Sequence, residues 1–420
     1  MVTPYPKYKD SGIPWLGLIP EHWETDKISQ LFAERREKCS DTEFQPLSVS
    51  KQGITPQLDT AVKTDNGDNR KRVCAGDFVV NSRSDRKGSC GVSPLDGSVS
   101  LINTVLESRG KLIRSYIHYL LRSHYYIEEY YRWGRGIVAD LWTTRYSEMK
   151  NIMLPLPPLA EQERIVEFID SKTQKIDAYV VERERELQAL SELKQSEIAA
   201  AVTRGLNPNV PMKDSGIPWI GEIPEHWEIK RLSQLTYEHY FSNKDVHHQN
   251  LLSLSYGNIV RKDINTTGGL LPASFDTYQI VEPGNIVLRL TDLQNDQRSL
   301  RVGLVKEEGI VTSAYVCLGI SNKSLVLPEY LYRLLHTYDI KKLFYSMGGG
   351  IRQGLNWQGL KKIEILLPPI SEQRAIVEYI DRKCGNINSL ISELEAEIAY
   401  LKEYKQRLIA DAVTGKIMIE

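Results

Sequence analysis

The sequence predicts an α+β protein in which two globular α/β domains are separated by two long helices, which form an antiparallel coiled coil with pseudo-two-fold symmetry. The first observation behind this prediction is an internal repeat: a motif rich in tryptophan and proline at 9–31 returns at 213–235 with 17 of 23 positions identical. The second is a segment at 157–170 that begins with Pro-Pro and returns at 368–381 with 9 of 14 positions identical. The third is a heptad pattern after each Pro-Pro pair, which is typical of coiled coils.

The repeats divide the 420 residues into two copies of one plan. The predicted segments are a first globular domain with its tryptophan motif at 1–156, a first helix at 157–203, a second motif and globular domain at 204–367, and a second helix with a tail at 368–420. The regions between motif and helix share little sequence, yet GDFVV at 76–80 parallels GNIVL at 284–288. A shared frame therefore carries two different globular parts, which we call heads.

The two helical segments show the pattern of a seam. After each Pro-Pro pair, the stretches 161–202 and 372–413 contain no proline, and Gly385 is their single glycine. Apolar residues recur at spacings of three and four, so each helix has a stripe that it must bury against another element. The predicted seam residues are Ile169, Ile176, Val180, Leu187 and Leu190 in the first helix, and Ile380, Ile387, Ile391, Leu394, Ile398, Leu401 and Leu408 in the second. A long core helix in a bundle is the alternative interpretation.

The repeat also predicts the direction of pairing. Equivalent helices that cross a pseudo-two-fold axis perpendicularly run antiparallel. In that arrangement Val413 lies beside the first tryptophan motif and Val202 beside the second. Arg183, Lys194 and Glu197 fall on the seam of the first helix, where polar residues lower stability and fix the register.

The tryptophan motif is expected to be irregular, because prolines and glycines interrupt it. Trp15, Trp23, Trp219 and Trp227 are expected to be buried and to fix the chain where it enters each head. A binding surface is the alternative interpretation.

Composition excludes several classes of protein. Hydrophobic residues make up 41% of the chain, its mean hydropathy is −0.35, and it has no apolar stretch close to the 18 or so residues that span a bilayer. These features exclude a membrane protein and a disordered chain. The N-terminus lacks the pattern of a secretory signal, so a cytoplasmic protein is expected. The five cysteines are scattered without Cys-x-x-Cys spacing, which indicates neither a disulfide framework nor a zinc site.

Charge counted by segment differs from the total. The chain has 53 Lys+Arg and 54 Asp+Glu, but residues 32–156 carry 19 and 15, and residues 236–367 carry 14 and 12. The heads are therefore +4 and +2, whereas the helical segments 157–203 and 368–414 are −4 and −2. Basic heads on acidic helices permit nucleic-acid binding, which the neutral total seemed to exclude.

Candidate DNA-binding residues lie in polar, glycine-flanked segments that are predicted to be loops. Lysine and arginine suit phosphates, and arginine, glutamine and asparagine match the major-groove edges of guanine and adenine. The candidates are Arg70, Lys71, Arg72, Arg83, Arg86, Lys87, Arg132 and Arg135 in the first head, and Arg289, Arg298, Arg301, Arg352, Gln353 and Asn356 in the second. Solvated loops of a globular domain are the alternative for each residue.

No catalytic motif is present in the sequence. It lacks a phosphate-binding Gly-x-x-x-x-Gly-Lys-Ser/Thr loop, an Asn-Pro-Pro-Tyr-type methyltransferase motif and His-Glu-x-x-His. His239, His247 and His248 lack acidic or cysteine ligands at metal spacing and are read as part of a loop. We therefore assign no nucleophile, acid, base or metal ligand, and the chain is predicted to recognise a partner and not to catalyse a reaction.

The residues resemble a known family. Two GIPWxGxIPxHW motifs and two Pro-Pro-x-x-Glu-Gln-x-x-Ile-Val-Glu-x-Ile-Asp helices alternate with dissimilar regions, as in the specificity subunit of Type I restriction-modification systems. The resemblance covers nearly the whole chain. It implies that the two heads are target recognition domains, each reading one half of a bipartite, asymmetric site in double-stranded DNA, and that the helices set the spacer between the halves.

The same resemblance implies partners and cofactors. Two methyltransferase subunits would methylate adenine N6 with S-adenosylmethionine, and two restriction subunits could add cleavage that depends on ATP and Mg. These cofactors would bind the partners and not this chain. Two alternatives remain at this point: a non-DNA scaffold or adhesion-type protein with two variable binding heads, and a chain that is itself a nuclease or methyltransferase.

Overall fold

The computed structural model describes residues 4–57, 67–136, 142–244, 248–264, 274–293, 296, 299–347 and 354–419. The chain divides into two compact units: unit 1 is Met1–Arg185 with Glu395–Glu420, and unit 2 is Glu186–Leu394. Each unit contains one head and a part of both long helices. No helix in the described ranges is both long and apolar enough to cross a membrane.

Unit 1 has an antiparallel head. Its strands are β1 (Tyr8–Asp10), β2 (Leu18–Pro20), β3 (Glu24–Lys27), β4 (Phe32–Glu34), β5 (Lys38–Cys39), β6 (Leu47–Ser50), β7 (Gly53–Pro56), β8 (Arg70–Val73), β9 (Phe78–Asn81), β10 (Cys90–Val92), β11 (Gly97–Val99), β12 (Asn103–Ser108) and β13 (Met153–Leu156). One sheet has the order β10-β9-β12-β4 and a second the order β11-β8-β5, while β1-β2, β3-β13 and β6-β7 form pairs.

Strand β9 shows why this sheet has two cores. Successive side chains on a strand point to opposite faces. Phe78 and Val80 therefore join the main core of unit 1, whereas Val79 faces a smaller cluster with Val105 of the neighbouring strand.

The helices of unit 1 cover the main core. They are α1 (Ile28–Leu31), α2 (Arg114–Leu120), α3 (His124–Arg132), α4 (Tyr146–Met149) and α5 (Leu159–Arg204), and a 3-10 turn spans Ser84–Arg86. Helix α3 buries Tyr126 in this core, and Ser123 caps α3 by accepting a hydrogen bond from the backbone N–H of Tyr126.

Unit 2 repeats this plan. Its strands are β14 (Met212–Asp214), β15 (Glu222–Pro224), β16 (Glu228–Arg231), β17 (Thr236–Glu238), β18 (Leu252–Ser255), β19 (Asn258–Arg261), β20 (Gln279–Val281), β21 (Ile286–Leu288), β22 (Val302–Leu304), β23 (Gly309–Val311), β24 (Val316–Ile320) and β25 (Glu364–Leu367). The order β17-β24-β21-β22 corresponds strand by strand to β4-β12-β9-β10 of unit 1. Its helices are α6 (Leu232–Leu235), α7 (Pro328–Ile340), α8 (Leu343–Met347), α9 (Trp357–Leu360) and α10 (Ile370–Val413).

The two predicted long helices, α5 and α10, are confirmed, and they pair antiparallel. Within unit 1, Asp177 accepts a hydrogen bond from Lys405 at 2.7 Å, while Glu184, seven residues later on α5, accepts from Lys402, which precedes Lys405. The partner numbers fall as the α5 numbers rise, which is the signature of antiparallel chains.

The part of the helix pair in unit 2 has the same direction. The Lys194 ammonium donates to the Asn388 amide oxygen at 2.7 Å, and Tyr379 donates to Glu197 at 2.7 Å. Lys194 and Glu197, two of the three polar seam residues predicted to fix the register, therefore have partners on the opposite helix.

The inward side of α10 follows the heptad. Ile380, Ile387, Leu394, Ile398 and Leu408 are buried, and Ile391 and Leu401 are half-buried. On α5, Ile169 and Val180 are buried, and Ile176, Leu187 and Leu190 are half-buried.

The tryptophan motif differs from its predicted form. It is not wholly irregular, because β1 pairs with β2 and, in the second copy, β14 pairs with β15. The strands are only three residues long and are joined by a tight segment in which Gly12 and Gly17 adopt positive φ. Residue propensities therefore indicate the turn and not the short strands beside it. Trp23 and Trp227 are fully buried, as expected, and Trp15 and Trp219 pack against the cores while partly buried.

The start of each long helix is bound to its own head by the repeated Glu-Gln pair. In unit 1 the Gln162 amide donates to the Lys111 and Pro157 carbonyls and accepts from the Ile113 N–H. Gln373 makes the equivalent three bonds in unit 2, to Leu325, Pro368 and Leu327.

The neighbouring glutamate reaches the tryptophan motif. Glu161 lies 2.8 Å from the His22 ring and also accepts from the Tyr5 hydroxyl, and Glu372 lies 2.8 Å from the His226 ring. The two repeated motifs therefore contact each other within each unit.

The predicted positions of the helix ends are confirmed. Val413 belongs to the core of unit 1, and Lys416 donates to the carbonyls of Leu16 and Leu18 in the first tryptophan motif. Val202 belongs to the core of unit 2 together with Trp227.

Candidate nucleic-acid interface

Two loops of the first head lie side by side. We define them as the loop pair of unit 1: residues 82–89, which follow β9, and residues 133–145, which precede α4 and are described except at 137–141. Arg135 and Thr143 exchange backbone hydrogen bonds of 2.9 and 3.0 Å, and the Thr144 N–H donates to the Ser82 carbonyl at 3.0 Å. The structure thus brings together the segments that carry the candidates Arg83 and Arg135, which lie 52 positions apart in the sequence.

Side chains of α3 and of the second loop hold the loop pair against α3. The Tyr130 hydroxyl donates to the Thr144 carbonyl at 2.9 Å, and the Trp142 indole N–H donates to the Tyr131 carbonyl at 2.9 Å. Because Tyr130 and Tyr131 belong to α3, the second loop is bound to a packed helix.

The loop pair presents exposed cations. Arg83, Arg86 and Arg135 are exposed, and the guanidinium groups of Arg83 and Arg86 lie 3.7 and 3.6 Å from Asp85. Ion pairs at a surface contribute only about 0–1 kcal/mol, so a phosphate can replace the aspartate at little cost.

Two further predicted cations of this head are paired with α3. Lys87 lies 2.8 Å from Glu128 and 4.6 Å from the ring centre of Tyr131, and Arg132 lies 2.6 Å from Glu129. Both side chains remain partly exposed at the edge of the loop pair.

The segment 69–73 differs from the prediction. It is not a phosphate-binding loop, because Arg70–Val73 form strand β8. Arg70 is 4% exposed and donates to the hydroxyl and carbonyl of Ser98, and burial lowers its pKa. Lys71 donates to the Asn103 carbonyl at 2.7 Å, and Arg72 pairs with Glu37 at 2.8 Å. Arg70 is therefore not available to DNA in this structure.

The second head also brings two loops together. We define the loop pair of unit 2 as residues 289–301, described except at 294, 295, 297 and 298, and residues 348–356, described from 354 onward. The Leu355 N–H donates to the Leu290 carbonyl at 2.9 Å. These loops follow β21 and precede α9, so they occupy the same places in the topology as the loop pair of unit 1.

Arg301 has a structural position that the sequence did not indicate. Its side chain is fully buried, and the guanidinium donates to the carbonyls of Arg289, Thr291, Asp292 and Asp296 and to the Tyr345 hydroxyl. Arg301 is therefore not exposed to DNA, which corrects the prediction. It shapes the loop that carries Arg289.

The other predicted residues of the second head fall into two groups. The Arg289 side chain is 39% exposed and lies 4.0 Å from Asp296, and Asn356 is exposed and caps α9 by accepting from the Gly359 N–H. Arg298, Arg352 and Gln353 lie outside the described residues.

Sequence analysis missed one cation of the first interface. Arg145 is exposed and lines a cleft of about 330 Å³ together with Arg83 and Tyr146. The sequence signal for Arg145 was its position two residues after Thr143, at the end of a segment that is predicted to be a loop. A single arginine outside any basic cluster does not stand out in composition.

The comparisons with known proteins agree with this architecture. The family model "Type I restriction modification DNA specificity domain" matches residues 300–400. The putative type I restriction enzyme MjaX specificity subunit of Methanocaldococcus jannaschii is 24% identical, and the alignment covers 96% of each chain. The EcoKI specificity subunit of Escherichia coli is 21% identical over 83% of this chain and 76% of its own length.

Two solved structures share the fold. A chain from a structure described as "Structural basis underlying complex assembly and conformational transition of the type I R-M system" has a TM-score of 0.69 at 15% identity, with coverage of 94% of this chain and 98% of its own. The HsdS subunit from Thermoanaerobacter tengcongensis has a TM-score of 0.50 at 18% identity, with coverage of 95% and 98%. The chain therefore has the two-headed, helix-linked fold of HsdS subunits.

The family model and the relatives confirm the resemblance that the sequence motifs predicted. Over nearly its whole length, the chain is similar to a specificity subunit of the Type I restriction-modification kind.

Proposed function

We propose that this chain gives a Type I restriction-modification complex its DNA sequence specificity, with each head reading one half of a bipartite, asymmetric site in double-stranded DNA. The observation that carries the proposal is the presence of two loop pairs at the same places in one repeated topology, with different sequences. Identical loops would favour a palindromic target, whereas different loops favour an asymmetric one.

The chemistry of the loop pairs supports DNA as the ligand. Arg83, Arg86 and Arg135 in unit 1 are exposed arginines on loops, and arginine can bond both major-groove acceptors of guanine. Arg289 and Asn356 provide the corresponding types of donor in unit 2. The small net charges of +4 and +2 predict that this chain alone binds DNA weakly and that partners supply many phosphate contacts.

We further propose that α5 and α10 set the spacer between the two half-sites and dock two methyltransferase subunits. Both helices contribute to both units, and their polar seam contacts fix a single register. A fixed register is what a spacer of fixed length requires.

The reaction itself is assigned to partner subunits. In this proposal the chain is non-catalytic, the methyltransferase subunits transfer a methyl group from S-adenosylmethionine to adenine N6, and two restriction subunits, where present, use ATP and Mg. The complex acts in the cytoplasm. The motifs absent from the sequence are those that would bind or use these cofactors.

Methylome sequencing of cells that express this chain with its methyltransferase tests the proposal. Replacing residues 32–156 with the same region of another specificity subunit should change one half of the methylated site and leave the other half and the spacer unchanged. A site that changes in both halves, or no methylation by the unaltered chain with its partner, contradicts the proposal.

The alternatives give different results. A non-DNA scaffold shows no binding to duplex DNA that falls steeply with salt, whereas phosphate contacts produce such a dependence. A chain that is itself a methyltransferase or nuclease modifies DNA without partners.

A further inference from the structure

Unit 1 contains a cleft of about 640 Å³ beside α10. Four elements line it: the β6-β7 turn with Lys51, the end of α2 with His118 and Arg122, the start of α3 with His124, and α10 with Lys405. Lys87 of the loop pair also lines this cleft, so the cleft adjoins the proposed DNA surface. We call it the basic cleft.

The basic cleft has more cations than carboxylates. Lys51, Lys87, Arg122 and Lys405 line it against a single carboxylate, Glu128. Glu128 pairs with Lys87 at 2.8 Å, and Lys405 is paired with Asp177 on the opposite helix. Among the described residues, no carboxylate lies within ion-pair distance of Lys51 or Arg122.

Arg122 is held in place by neutral acceptors. Its guanidinium lies 2.8 Å from His118 Nε2 and donates to the Lys51 carbonyl at 2.6 Å. Burial, together with the charge of Arg122, lowers the pKa of His118 to about 4, so the ring is neutral at pH 7 and accepts the bond. Neutral groups therefore orient the Arg122 guanidinium, and none of them offsets its positive charge.

Unit 2 provides a natural comparison. A cleft of about 430 Å³ lies between the β18-β19 turn, α7 and α10, but it is lined by residues 381–388 near the start of α10, whereas the basic cleft is lined by residues 405–409 near its end. In unit 2, Lys306 and Arg333 are accompanied by Glu329 and Asp381, and Arg333 pairs with Asp381 at 2.9 Å. The cations of the unit 2 cleft are therefore balanced by carboxylates, whereas the cleft of unit 1 has an excess of cations.

We infer that the basic cleft of unit 1 binds a backbone phosphate of the DNA beside the half-site that the first head reads. This inference rests on the proposed function. An oriented arginine and a free lysine from two elements provide the donors, and the N-terminus of α3 adds its partial positive charge. Because Lys87 belongs to both surfaces, a duplex that contacts the loop pair can continue into the cleft.

The test measures the dissociation constant for cognate and unrelated duplexes at 50 and 200 mM salt, with the full chain bound to its methyltransferase partner. The variants are Lys51→Gln, whose side chain makes no ion pair in the described part of the chain, and Arg122→Gln. The matched control is Lys306→Gln, which removes one charge from the cleft of unit 2. Loss of one phosphate contact reduces the salt dependence by about one unit of logarithmic slope, so the ratio of the two constants should fall roughly 3.5-fold.

We expect both unit 1 variants to show this reduced slope equally for cognate and unrelated DNA, because phosphate contacts carry no base sequence. Lys306→Gln should retain the original slope. Lys51→Gln guards against misfolding, since its side chain is exposed and Arg122 supports the fold.

An unchanged slope in Lys51→Gln and Arg122→Gln overturns the inference, even when the unaltered complex binds DNA. Two further results also overturn it. One is protection of the cleft by pyrophosphate or ATP with the DNA slope unchanged, which indicates a free phosphate ligand. The other is weaker assembly with the methyltransferase at an unchanged slope, which indicates an acidic protein surface. Absence of DNA binding by the unaltered complex rejects the proposed function itself.

Discussion

Replacing the buried Arg301 with methionine should loosen the loop pair of unit 2 and disturb the half-site that it reads. The guanidinium makes hydrogen bonds of 2.7–3.3 Å to three carbonyls and the Tyr345 hydroxyl, and it also donates to the Asp296 carbonyl. Methionine fills a similar volume but leaves these acceptors without a donor. Removing one partner from such a buried charged network costs about 3–5 kcal/mol.

Hydrogen exchange measured by mass spectrometry gives the local free energy of opening. The amides of β21 and β22, which flank the loop, should lose about 3–5 kcal/mol of protection in Arg301→Met. The matched control is Arg289→Met in the same loop, whose partly exposed side chain lies 4.0 Å from Asp296. Such a surface pair contributes about 0–1 kcal/mol. Equal losses in the two variants, or a loss below about 1 kcal/mol in Arg301→Met, would refute the role assigned to the buried guanidinium.

Three other predictions concern the frame. Gln373→Leu should lower the free energy of unfolding in urea by about 2–3 kcal/mol, because the carbonyls of Leu325 and Pro368 lose their donor. The control Gln195→Leu, on the exposed face of α5, should have little effect. Burial raises the pKa of Asp339 to about 6, so its ionisation lowers the stability of the folded chain as pH rises towards that value. Asp339→Asn should remove about 2 kcal/mol of the stability difference between pH 4.5 and 7, and an unchanged difference contradicts this prediction. Adding seven residues to α5 within 176–198 and seven to the paired part of α10 lengthens both helices by about 10 Å. The methylated site should then gain about three base pairs of spacer with both half-sites intact. An unchanged spacer contradicts the proposal that the helices set its length.

The long helices and the tryptophan motifs, which form the frame, could be predicted because they depend on local sequence patterns. The heptads of α5 and α10 report a buried stripe directly, and the repeat predicted antiparallel pairing and the place of Val413. The tryptophan motifs were placed correctly at the entry to each head, but their short strands were missed because glycines and prolines dominate the composition.

The interface was only partly predictable, because burial of an arginine depends on distant partners. Arg70 and Arg301 look like surface cations in the sequence. Arg70 is buried because Ser98 accepts its bonds from another strand, and Arg301 because a folded loop surrounds it with carbonyls. Arg122 was not predicted as a binding residue, because an arginine at the end of a helix is usually solvated. Only the structure shows that it lines a cleft.

The contacts that join each head to the long helices explain how one frame can carry dissimilar heads. Gln162 and Gln373 bond only to backbone atoms of the heads, which any sequence provides. Glu161 and Glu372 bond to histidines of the tryptophan motifs, which belong to the frame.

One frame residue does contact variable side chains, and it tolerates different ones. Asp170 of α5 accepts from the Tyr119 hydroxyl, whereas Asp381, its counterpart on α10, pairs with Arg333 at 2.9 Å. A carboxylate accepts from hydroxyl and guanidinium donors alike, so an exchanged head needs only some donor at this place. Exchange of residues 32–156 should therefore preserve folding as well as the spacer, and the stability of such a hybrid should depend on whether the incoming head presents a donor to Asp170.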